Sequence, residues 1–123
     1  MNKEISNWID NALSTDIPKQ VIAFCFNLYE DTNNNWVMEL VGSDWFDLEN
    51  EDWPCNELTE FDTRENPYRW KIDCEWDDAL AYMVNQLKEY LEVGKYAELL
   101  KSSTGVGVGF VDGNIEILHC KIN

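Results

Sequence analysis

Positive charge is what this sequence has least of. Nine Lys and Arg stand against 24 Asp and Glu, a formal net charge of −15, and there is one histidine. A surface that holds phosphates needs clustered Lys or Arg, so nucleic acid is not expected as a partner, and anionic membranes are disfavoured on the same ground. No apolar run approaches the roughly 20 residues of a membrane helix. The start, Met1-Asn2-Lys3-Glu4-Ile5, lacks the basic-then-apolar pattern of a secretory signal. The expected compartment is the cytoplasm. Cys25, Cys55, Cys74 and Cys120 form no CxxC pair, and in a reducing compartment they are expected to stay free structural thiols.

Catalytic signatures are scarce too. His119 stands beside Cys120, but adjacent residues of a strand point to opposite faces and cannot share a proton. No G-x-S-x-G and no P-loop is present. The run Gly105-Val106-Gly107-Val108-Gly109 is glycine-rich, yet a strand follows it, whereas a phosphate cradle needs a helix N-terminus. Its glycines are expected to let a bulky ring, Trp76 or Tyr82, lie against the strand. Asp47-Leu48-Glu49-Asn50-Glu51-Asp52 lacks the spacing, turn glycine and closing Glu of an EF-hand loop. No catalytic residue, metal or cofactor is expected.

Apolar residues, by contrast, are plentiful. They make up 45% of the 123 residues and include 6 Trp, 5 Tyr and 5 Phe, enough to build one core despite the charge, so a single domain over 1–123 is expected. Ile5, Trp8, Ile9, Ala12 and Leu13 are spaced for a helix over 4–13, stopped by Pro18. Residues 19–29 read as a strand apolar on both faces. Asp31-Thr32-Asn33-Asn34-Asn35 reads as a turn, and 36–41 as its antiparallel partner. A short strand over 68–72 follows, then a helix over 75–92 with the stripe Trp76, Leu80, Met83, Val84, Leu87 and Leu91. Gly94 caps it, a short helix over 96–101 comes next, and Asp112-Gly113 turns a final hairpin. The order predicts an α+β fold: a single antiparallel sheet of four to five strands with helices packed on one face.

The segment 44–62 has no regular periodicity and no Lys or Arg. It carries Asp44, Asp47, Glu49, Glu51, Asp52, Glu57, Glu60 and Asp62, interleaved with Trp45, Phe46, Trp53 and Phe61. Carboxylates alone make a solvated surface, whereas exposed aromatic rings among them call for a partner to cover them. Aromatic anchors ringed by charge are the anatomy of a protein–protein hot spot. The eight acids, with Trp45 and Trp53, are therefore the expected partner-binding residues.

Strand 21–29, the segment Asp52-Trp53-Pro54-Cys55-Asn56-Glu57 and the ending Gly109-Phe110-Val111-Asp112-Gly113 resemble the immunity proteins of bacterial polymorphic-toxin and contact-dependent inhibition systems. The likeness covers most of the chain in style, and Asp52-Trp53-x-Cys55-x-Glu57 is its most distinctive piece. It implies a cytosolic protein, not an enzyme, that neutralises one cognate toxin domain, often a nuclease, by covering its basic cleft. Two other readings stay open: a DNA-mimic inhibitor of a nucleic-acid-binding protein, and a small ligand-binding module with a carboxylate pocket.

Overall fold

The computed structural model describes residues 2–55 and 57–121, without the side chains of Thr59 and Glu60. Helix α1 spans Lys3–Leu13 and begins where Asn2 Oδ1 accepts the backbone N–H groups of Glu4 (2.8 Å) and Ile5 (3.3 Å). That cap satisfies two of the donors a helix start leaves unpaired. Its buried face is Ile5, Trp8, Ile9 and Leu13, as the spacing predicts.

Strands β1 (Ala23–Glu30) and β2 (Asn35–Ser43) form the expected antiparallel hairpin, with Ala23 opposite Ser43 and Glu30 opposite Trp36. Its turn places Asn33 (φ 48°) and Asn34 (φ 66°) in the left-handed region that asparagine tolerates. The far edge of β2 takes two short antiparallel strands in turn, β3 (Glu57–Asp62) and β4 (Tyr68–Lys71). Strand β3 corrects the sequence reading, which left 44–62 irregular throughout. After β4 come α2 (Trp76–Val93) and α3 (Ala97–Ser102), then β5 (Gly105–Phe110) and β6 (Glu116–Cys120).

The described strands make one sheet of six, in the order β3-β2-β1-β5-β6 with β4 also on β2. The α+β class stands, but the sheet is larger than four to five strands and is not purely antiparallel. Strand β5 runs parallel to β1, with Ala23 beside Gly105 and Leu28 beside Phe110. The two helices between them return the chain to the end where β1 starts, so β5 can only run alongside it in the same direction.

The two faces of this sheet are covered differently. Phe24, Phe26, Leu28, Met38, Leu40, Val106 and Val108 meet the three helices in the main core. On the other face, Ala23, Cys25 and Val41 are covered by Trp53, with Phe46, Ile115 and Ile117 packed around them. Among the described residues no α-helix lies there; the 44–55 segment takes its place.

Strand β5 is shaped for that segment. Gly105, Gly107 and Gly109 pair with Ala23, Cys25 and Asn27 and so share the loop-covered face. A Cβ on Gly105 would overlap the Phe46 ring, and one on Gly107 would come within 2.7 Å of Ile115 Cγ2 and 3.0 Å of Trp53 Cζ2. The glycines do admit bulky rings, but those of Phe46 and Trp53 rather than Trp76 or Tyr82. In Gly105→Ala, the stiffer unfolded chain favours folding by about 0.4–1 kcal/mol, while the overlap costs about 1–3 kcal/mol. The expected result in denaturant melts is a net loss, reversing to neutral or better in a Phe46→Ala background. Additive effects of the two changes would show that the ring and the glycine do not depend on each other.

Candidate functional site

The segment from Asp44 to Cys55 is a chain of turns tied down at both ends. The fully buried Ser43 hydroxyl lies 2.8 Å from the Trp45 carbonyl oxygen and 2.9 Å from that of Trp53, and accepts the Trp45 N–H. Asp47 Oδ1 accepts the Glu49 N–H and Asn50 Oδ1 accepts the Asp52 N–H, both at 2.9 Å. These are the local bonds that draw Asp and Asn into turns. A single 3-10 turn, Trp53–Cys55, ends the run. Phe46 and Trp53 pack edge to face at 4.9 Å beneath it.

This anchoring sorts the expected partner-binding residues into three groups. Asp44, Glu49, Glu51 and Asp52 are exposed and Asp47 half-buried, with Trp45 (37% exposed) and Leu48 (47%) among them. Glu51 Oε2 also accepts the Ile115 N–H at 3.1 Å, which joins the segment to the β5–β6 hairpin. Trp53 is a correction: at 1% exposed it is core and offers a partner nothing. Phe61 is core as well, set edge-on to Phe24 at 5.8 Å. The Glu60 side chain and Asn56 lie outside the described residues.

Glu57 and Asp62 form the third group, because Arg64 folds back onto them. Its guanidinium bonds Glu57, lies 3.5 Å from Glu39 and reaches 3.9 Å from Asp62. The Glu57 bond holds the Arg64 pKa above its already high ordinary value. Two acids of the segment therefore belong to an internal ion cluster. The sequence signal was Arg64 itself, two residues past the acidic run. Burial and the bond to Glu39 (3.1 Å) push the Tyr29 phenol up in the same neighbourhood.

A groove of about 480 Å³ opens between the segment and the hairpin, lined by Asn27, Glu51, Asp52, Cys55, Glu57 and Arg64 with Val111, Gly113 and Ile115. Among the described residues it holds no histidine and no hydroxyl nucleophile. The fully buried Cys25 thiol, 3.2 Å from the Oδ1 of Asn27 in the groove wall, is pushed up to about 12 by burial and by Cys55. A thiol so disposed is a small apolar side chain rather than a nucleophile. The four cysteines are unpaired thiols. Among the described residues no three His, Cys, Asp or Glu come together as a metal site, and no helix is long and apolar enough to cross a membrane.

A second surface lies at the start of α2, where the sequence shows the next acidic cluster, Asp73, Glu75, Asp77 and Asp78, but does not show that its tryptophan is exposed. Trp76 was assigned to the apolar stripe of α2, but it is the first residue of that helix and is 59% exposed. Asp73, Glu75, Asp77 and Asp78 surround it in sequence and are all exposed. The available signal was a tryptophan at a helix start with acids on either side.

Comparison with known proteins adds no relationship: no family model, no curated protein and no solved structure matches the chain.

Proposed function

We propose that this protein acts by binding, and that it neutralises a basic partner domain, of the nuclease-toxin kind, by laying the 44–52 surface into the partner's cleft. One observation carries the reading. Phe46 and Trp53 fix the segment to the sheet, so Asp47, Glu49, Glu51 and Asp52 are held outward around a half-exposed Trp45 and Leu48. Fixed charge costs little ordering on association, and a cleft built for phosphates is its electrostatic complement. The acids gather in one loop and at one helix start, which favours local epitopes over the extended phosphate-like array of a DNA mimic.

Asn or Gln at these four positions keeps the side-chain acceptors that hold the turns while removing the charge. The fold should survive. Association with the basic toxin domain that this reading calls for should slow by roughly 10- to 10³-fold at low salt, with a flatter salt dependence. Stopped-flow mixing at several ionic strengths measures both. Equal rates, equal salt slopes and equal protection of toxin-expressing cells would exclude the segment as the binding surface.

A further inference from the structure

The exposed Trp76 does not stand alone. It meets Phe110 edge to face at 5.9 Å (88°), and Phe110 meets the buried Trp36 in the same way at 5.8 Å (75°). Trp36 is fixed in turn, its indole N–H donating to the Ile72 carbonyl at 3.1 Å. The outermost ring of this ladder is left mostly in water, next to Val111, which is 65% exposed. A recess of about 470 Å³ opens beside it, lined by Tyr29, Glu30, Trp36, Phe110 and Val111 as well as Trp76 itself. A second recess, about 430 Å³, shares Glu30, Trp36 and Trp76 and adds Asp73, Glu75 and Asp78.

Among the described residues no Lys or Arg lines either recess. The neighbouring Arg69 already faces Asp31 at 3.3 Å. The start of α2 contributes only about half a positive charge, and Asp77 and Asp78 in its first turn more than offset it. The Cys74 thiol reports the same potential: it is held above its ordinary value by burial and then by Asp78, Asp73, Asp77 and Glu75. A rigid, open aromatic face bordered by uncompensated carboxylates is the setting in which a guanidinium gains from the ring quadrupole and from charge together.

The geometry points to the Trp76 recess as a docking site for an arginine side chain of a basic protein partner. Val111 and Gly113 line both this recess and the groove beside the 44–55 segment, so one partner can engage the two acidic surfaces across the hairpin. The inference rests on the proposed function only in taking the partner to be basic.

A capped Gly-Arg-Gly-Arg-Gly peptide and its citrulline counterpart test it without any toxin. The arginine peptide should shift the Trp76 indole N–H signal saturably in NMR, and the citrulline peptide should not. Trp76→Leu, which keeps the apolar bulk, should weaken binding roughly 3- to 20-fold, Trp76→Phe should fall between, and Val93→Ala, at the exposed far end of α2, should change nothing. Unchanged signals elsewhere establish that each variant is folded. Equal shifts by both peptides, shifts at Trp45 alone, or undiminished binding by Trp76→Leu would overturn the site. If the peptide binds at Trp76 while no toxin is neutralised, the proposed function fails and the site stands; a toxin bound equally by Trp76→Leu and parent gives the converse.

Discussion

Trp53→Ala is expected to lower stability by about 3–5 kcal/mol, the range for deleting a large aromatic side chain from a core. The ring is 1% exposed and covers Ala23, Cys25 and Val41. It packs at 4.9 Å on Phe46 and rests against the flat strand left by Gly107. Against a total of about 5–15 kcal/mol for a domain, such a loss removes about a fifth or more of the margin. Urea melts should show it as a lower midpoint. Amide exchange should quicken across 44–55, because those turns have little else beneath them. Trp45→Ala, at a site that covers no core, should stay within about 0.5 kcal/mol. A Trp53→Ala variant as stable as that one would mean that the sheet face needs no cover.

A second large effect is expected in alkali. Burial, and then Cys55, raises Cys25 from 9.0 to about 12. Burial, and then the bond from the Tyr90 hydroxyl to Asp10 Oδ1 at 2.6 Å, raises Tyr90 above its ordinary 10.0. Both groups hold their protons more tightly folded than unfolded. Their contribution is therefore fully present below about pH 9 and is lost as pH rises through the folded values. The melting temperature should be level up to about pH 9 and fall steeply from there towards 12. Cys25 alone accounts for at most about 4 kcal/mol of the loss. Cys25→Ala should flatten the limb between pH 9 and 10, where a thiol ordinarily at 9.0 titrates in the unfolded chain ahead of a tyrosine at 10.0. Lysine deprotonation acts on parent and variant alike, so identical slopes there would show that the thiol is not held protonated by the fold.

Much of this architecture was legible because it follows from local pattern. The spacing of Ile5, Trp8, Ile9 and Leu13 gave α1, the asparagine-rich turn gave the β1–β2 hairpin, and Gly113 closed the last one. What local pattern does not carry is which strand a later strand will meet. The β1–β5 pair joins residues about eighty positions apart, and its parallel sense depends on where α2 and α3 deliver the chain. The same limit applied to the acidic segment. Its sequence could not say which rings turn inward, since Trp45 and Trp53 each follow an aspartate in the same acidic run. The decision lies in β5, where Gly105 and Gly107 leave room for two rings from elsewhere. Trp76 was misjudged for a related reason: helical spacing places it on the apolar side, but the first turn of α2 extends past the core.

The parallel pairing of β1 with β5 also bears on how this chain is born. Until Gly105–Phe110 has left the ribosome, one edge of β1 has no ladder partner, and Ala23, Cys25, Phe24 and Phe26 have only part of their eventual cover. Contacts between such distant residues pay their loop-closure entropy late, which slows folding. An open strand edge beside apolar side chains is meanwhile a template for another copy. The dense negative charge then gains a second role, because nascent chains that repel one another are kept from zipping together before β5 arrives.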